Sequence, residues 1–178
     1  AERRQRQRVV DVLVKLDDVI DASRIILTGH SRGGKAALLA GATDTRVALV
    51  NPNGSGCCGA GSFRVRGEKS ERLGDILRFT HWFSPALSAY AGREDELPFD
   101  QDALVAAVAP RAVLLTEASD DHWANPTGTT ATFTSARDVY RLLGVADKIA
   151  IHFRPGRHDH ALPDWTALLD SGAPLRSA

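Results

Sequence analysis

The stretch "TGHSRGGK", residues 28–35, sets the reading of the whole chain. Its core, Gly29-His30-Ser31-Arg32-Gly33, is G-x-S-x-G, with the apolar run "RIILT" (24–28) directly before it and "KAALLAGA" (35–42) directly after. A short β-branched apolar run suits a buried strand, and an Ala- and Leu-rich run suits a helix. A glycine-flanked serine at such a junction is either a nucleophile on a sharp turn or part of a phosphate-binding loop. The phosphate patterns are G-x-G-x-x-G and G-x-x-x-x-G-K-[ST]. Neither fits, because Gly29 and Gly34 have the second spacing but Ala36 follows Lys35.

The strand-turn-helix setting matches instead the nucleophile elbow of α/β-hydrolases. The turn forces the serine into a strained backbone conformation. Cβ groups on the flanking residues are expected to clash there, so glycine is needed on both sides. Ser31 then stands at the carboxyl edge of a sheet with its Oγ exposed. The positive end of the following helix, with the Arg32 amide, can stabilise an oxyanion.

Outward from the elbow, apolar residues at three- and four-residue steps from Val9 to Ile20 predict an amphipathic helix over 3–20. Buried strands are predicted at 24–28, 46–50, 112–118 and 148–156, the second stopped by "NPNGSG". Helices are predicted at 35–42, 100–110, 131–143 and 164–170. Residues 57–100 are less regular and read as a cap or insertion over one sheet edge. Strands alternating with helices, without hairpin signals, predict an α/β fold: a parallel sheet with helices on both faces. The 178 residues suit one domain, 1–178.

Lys and Arg total 22, as do Asp and Glu, so nothing points to a nucleic-acid or other polyanion partner. No apolar run approaches the ~20 residues needed to span a bilayer. The two cysteines, Cys57 and Cys58, are adjacent and give no disulfide framework. With no methionine and Ala1 first, the expectation is a processed product or a piece of a longer chain.

A serine nucleophile needs a histidine base, and the base an acid to orient it. In this fold the order along the chain is serine, acid, histidine. His30 lies inside the elbow and points elsewhere, His81 sits in the cap, and His152 lies within a strand in a structural role. His158 and His160 remain, in "RPGRHDH" after the fourth strand, and His158 is preferred because it follows the Pro-Gly turn closely. For the acid, the loop after the third strand offers Glu117, Asp120 and Asp121. Asp121 is preferred because it stands far enough past the strand to turn back. The groups "DDH" and "HDH" could also hold a metal, but their spacing matches no zinc signature and leaves the elbow unexplained.

"TGHSRGGKAAL", "NPNGSGCCGAG", "HWFSPAL", "EDELPFDQDALVAAVAPRAV", "DDHWANP" and "RPGRHDH" resemble, in this order, segments of bacterial glucuronoyl esterases. The likeness runs from about residue 9 to 170. It implies a serine esterase of the α/β-hydrolase superfamily that cleaves 4-O-methyl-glucuronoyl esters joining xylan to lignin. It implies no metal or cofactor and a secreted or periplasmic location. Ser31 is implied as nucleophile, His158 as base, Arg32 as an oxyanion group, and Lys35 as a ligand for sugar hydroxyls. Trp123 resembles the family's tryptophan beside the sugar, where an aromatic face can serve as a platform. Fungal members place the acid as a glutamate at the position of Gly54, and some bacterial relatives place it after the next strand, at Asp121. Arg157 replaces a common glycine, and Asn125 stands where aspartate is frequent. The family's earlier strands are not in these residues, which resemble the C-terminal half of such an enzyme.

Overall fold

A computed structural model describes residues 2–171. Helix α1 (Glu2–Leu13) leads to strand β1 (Ile26–His30), helix α2 (Arg32–Thr43) and strand β2 (Leu49–Asn53). Helices α3 (Leu73–Leu77) and α4 (Gln101–Ala106) precede strand β3 (Ala112–Ala118). Helix α5 (Pro126–Leu142), strand β4 (Ile149–Arg154) and helix α6 (Leu162–Ser171) complete the order. The strands form one parallel sheet in the order β1-β2-β3-β4.

Period-two alternation assigns the two faces. Val50, Val113 and Leu115 pack with Val10 of α1, Leu38 of α2, Val105 of α4 and Tyr140 of α5. Leu49 and Leu114 point the other way, onto Leu168 of α6. Fully burying one such side chain stabilises the fold by about 1.5–3 kcal/mol, so both layers are held by apolar contact. Segment 57–100 packs around its own apolar group: Cys57, Phe63, Leu73, Ile76 and Leu97, with Trp82 and Phe83 against them.

Several boundaries differ from expectation. α1 stops at Leu13, where the chain tightens into shorter-range bonds such as the Leu16 amide to the Leu13 carbonyl, and Leu16 and Val19 beyond it are 45% and 77% exposed. β1 begins two residues late because the Asp21 side chain accepts from the Ser23 amide and holds residues 22–24 in a tight turn. It then runs through Gly29 and His30 to the serine. β2 continues through "NPN" rather than ending there, since its asparagine side chains bond across the sheet. Asn51 Nδ2 donates to the Leu114 carbonyl at 2.8 Å and Thr116 Oγ1 at 3.0 Å. α5 starts five residues early, with Asn125 as its cap and Pro126 in the first turn.

Candidate active site

Ser31 sits at φ 54°, ψ −122°, left-handed backbone that costs a non-glycine residue about 1–3 kcal/mol. The Ser31 amide donates to the Asn53 carbonyl at 2.9 Å, and its own carbonyl accepts the Lys35 amide at 3.1 Å. Its side chain makes no capping bond to α2, so Oγ is left for other partners. From behind, the Arg6 guanidinium donates to the carbonyls of Thr28 and Gly33, each at 3.0 Å. The glycine requirement falls differently from expectation. A Cβ on Gly29 would lie 2.3 Å from the Gly33 carbonyl oxygen, and one on Gly34 would lie 2.9 Å from the Gly29 oxygen. A Cβ on Gly33 meets only the end of Arg6, at 3.2 Å. The second position that requires glycine is therefore Gly34 rather than Gly33, whose Cβ direction meets no backbone.

His158 reaches the serine from the loop after β4. Arg154, 6% exposed, ends that strand and gathers the loop around its guanidinium. It bonds Asp164 Oδ2 at 2.6 Å and the carbonyls of Pro155, Arg157 and Asp159 at 3.1, 3.3 and 2.5 Å. The loop so shaped places His158 Nε2 2.9 Å from Ser31 Oγ.

Asp121 closes the chain, its Oδ2 2.5 Å from His158 Nδ1. Its other oxygen accepts from the Ala124 amide at 3.3 Å, and the side chain is 4% exposed. The hydrogen bond to Asp121 raises the pKa of His158, against an opposing contribution from burial. The other two acids face elsewhere. Asp120 Oδ2 accepts from the Gly156 amide at 3.1 Å, and Glu117 Oε1 pairs with Thr129 Oγ1 at 2.9 Å. His160, the other histidine of that loop, stacks on Trp165 with ring centroids 4.2 Å apart.

A family model described as "Glucuronyl esterase, fungi" matches residues 5–144. The chain belongs to the glucuronoyl esterase family. A carbohydrate esterase from an unknown prokaryotic organism is 41% identical over 170 residues, which is 86% of this chain and 39% of that protein. The 4-O-methyl-glucuronoyl methylesterase of Neurospora crassa is 34% identical, over 86% of this chain and 40% of the relative. A solved carbohydrate esterase family 15 glucuronoyl esterase from Caldicellulosiruptor kristjansonii is 41% identical with a TM-score of 0.84. That match covers 90% of this chain and 46% of the solved one. The fold is thus that of the α/β-hydrolases, and the chain spans about 40% of the length of these curated relatives.

This glucuronoyl esterase relative has glycine where fungal members were expected to carry their acid. A Cβ on Gly54 would lie 3.7 Å from Asp121 Oδ2, so the two positions adjoin the same carboxylate site. Lys35 is buried, and its ammonium already donates to the carbonyls of Ser55 and Cys57 and to Glu71 Oε2, at 2.7, 2.6 and 2.9 Å. Three partners take its three protons, so a further acceptor can bind only by displacing one of them. Glu71, which no sequence pattern marks, fixes the ammonium. The Arg32 guanidinium lies over the Trp82 ring at 4.9 Å, and both line a cavity of about 310 Å³ with Phe63, Phe83, Leu87 and Phe99. Trp123 is 44% exposed in the turn after Asp121, and its carbonyl accepts the Glu71 amide at 2.9 Å. Among the described residues no group of His, Cys, Asp or Glu is arranged to hold a metal ion. No described helix is long and apolar enough to cross a membrane.

Proposed function

We propose that this chain carries the reacting residues of a serine esterase acting on 4-O-methyl-glucuronoyl esters. One observation carries the reading: the unbroken run Ser31 Oγ, His158 Nε2, His158 Nδ1, Asp121 Oδ2, with gaps of 2.9 and 2.5 Å. Ser31 Oγ attacks the ester carbonyl while His158 takes its proton. Asp121 steadies the imidazolium and holds the ring orientation. The oxyanion forms over the first turn of α2, where the Arg32 amide and the positive helix end meet it, with the Arg32 guanidinium alongside. His158 then protonates the departing alcohol, and water releases the glucuronic acid from Ser31.

The sugar acid as substrate is supported by family membership and by the name of the Neurospora relative. Trp123 offers an aromatic face to the ring, and Lys35 offers a cation through exchange of one carbonyl partner. A glycan ester on a cell-wall polymer does not pass a membrane, which favours action outside the cytoplasm.

The test pairs a fluorophosphonate probe with two substrates, methyl 4-O-methyl-glucuronate and an acetylated xylan. Labelling of Ser31 and preference for the glucuronate ester are expected, and Ser31→Ala abolishes both without loss of fold. Preference for the acetyl ester moves the substrate to the acetyl-xylan class. A folded protein left unlabelled, or turnover kept by Ser31→Ala, overturns the esterase reading itself.

A further inference from the structure

The residue before the serine is tied into the sheet. His30 Nδ1 lies 2.6 Å from Asn53 Oδ1. Asn53 is 1% exposed, and its Nδ2 is spent on Thr116, 2.9 Å from Oγ1 and 3.4 Å from the carbonyl. Asn53 Oδ1 is therefore the acceptor, and the proton sits on His30 Nδ1. The anchor goes deeper, because Thr116 Oγ1 also accepts from Asn51 Nδ2 and Asn51 Oδ1 accepts from Thr28 Oγ1 at 2.8 Å. Three strands thus hold one imidazole ring.

That ring lies against His158, with centroids 4.5 Å apart and planes at 45°. His30 also faces His160 at 6.0 Å, and His160 stacks on Trp165 of α6 with planes at 17°. His160 Nε2 is buried without a hydrogen-bond partner among the described residues, and burial lowers its pKa. An uncharged ring thus fills the space between His30 and α6. His158 itself is 39% exposed at its side chain. Its bonds to Asp121 and Ser31 oppose rotation of the ring about the Cβ–Cγ bond but leave it small swings about that bond. Packing on the ring face removes that freedom.

We propose that His30 is a positioning residue: its ring, clamped by Asn53 and backed by His160 and Trp165, stops the His158 imidazole from swinging about its Cβ–Cγ bond and misaligning its two hydrogen bonds. The kinetic consequence rests on the esterase reading, whereas the structural one does not. A misplacement of about 1 Å can cost ~10²-fold in rate. His30→Ala is therefore expected to lower kcat by roughly 10- to 100-fold with KM within about twofold. His30→Phe restores a packed face without the Asn53 bond and recovers most of the loss. His30→Asn keeps a polar partner for Asn53 without the ring and stays as slow as the alanine variant. Both guard against a variant that merely misfolds.

Proton NMR of histidine-labelled protein reads the same event without turnover. The His158 Nδ1 proton, shared with Asp121, should be sharp in the parent and in His30→Phe, and broadened in His30→Ala and His30→Asn. A folded His30→Ala with a sharp resonance and kcat within about twofold of the parent overturns the proposal, as does recovery by Asn but not Phe. A parent with the sharp resonance, lost in His30→Ala, but without ester turnover overturns the esterase reading and leaves the positioning role standing.

Discussion

Asp120 and Gly156 hold each other twice, the Asp120 amide donating to the Gly156 carbonyl and the Gly156 amide to Asp120 Oδ2, each at 3.1 Å. This pair zips the loop after β3 to the loop after β4, and so brings the next residue, Asp121, to His158. Adjacent aspartates thus have separable jobs. Asp121→Asn is expected to lower kcat by about 10⁴-fold, as the loss of a triad aspartate does in a serine protease. Asp120→Ala keeps the backbone bond and should cost less than about tenfold. Steady-state kinetics of both variants checks the order. A loss under tenfold for Asp121→Asn would return the choice to Asp120 or Glu117.

The Asp121 hydrogen bond raises the pKa of His158, and it outweighs burial of the half-exposed ring. As the proposed base, His158 works only when neutral, so kcat/KM should rise with pH through a value above the ordinary histidine figure of about 6.5. NMR titration of His158 in Asp121→Asn should show that value moving down. The sign for stability follows from the same shift. The folded protein binds the proton more tightly than the unfolded chain. This stabilisation is complete below about 6.5 and fades as pH climbs through the folded value. A His158 titration that stays put in Asp121→Asn would remove Asp121 as the cause.

Glu117 is fully buried four residues before Asp121, and burial pushes its carboxyl up to about 8. Asp121 and Asp164 add to the rise, while the Thr129 hydroxyl opposes it. A protonated Glu117 can donate to Thr129 Oγ1, which frees the Thr129 proton for the Asn125 carbonyl at 3.3 Å. The folded state keeps a proton that the unfolded carboxyl loses near 4.5, so stability falls between roughly 4.5 and 8 as pH rises. The slope is about 1.4 kcal/mol per pH unit within that window. Glu117→Gln, an uncharged isostere, should flatten the decline and melt higher than the parent at pH 8. Parallel melting curves across this window would mean that Glu117 is ionised when folded.

The elbow and the histidine loop were legible because each is a local pattern: glycines around a serine, and a Pro-Gly turn at a strand end. Asp121 was legible only as one of three acids, since the Asp120–Gly156 pair that selects it joins segments 36 residues apart. Arg154 was hidden for the same reason. It reads as a strand residue, and its work on the 155–159 loop exists only once Asp164 of α6 is beside it. Asn51 and Asn53 read as a strand stop in the sequence, because their amide partners lie on β1 and β3. His30, inside the elbow, reads as pointing elsewhere, yet it packs on His158. Residue-type preferences carry no information about such cross-strand pairs.

The glycines of the elbow give the sharpest steric test. Gly29→Ala puts a Cβ 2.3 Å from the Gly33 oxygen and 2.5 Å from its carbonyl carbon, both backbone atoms. Gly34→Ala is held at 2.9 Å from the Gly29 oxygen and 3.0 Å from both the Asn53 oxygen and Ser55 Cβ. Neither can relax without moving the strand-helix junction, so both should lose Ser31 labelling and lower the melting temperature. Gly33→Ala asks only the tip of Arg6 to move a few tenths of an ångström, from 3.2 Å. An alanine in the first turn of α2 also favours the helix over glycine by about 1 kcal/mol. Gly33→Ala is therefore expected to keep labelling within a few-fold of the parent. The reverse order, with Gly33→Ala inactive and Gly29→Ala active, would mean that the turn holding Ser31 is built differently.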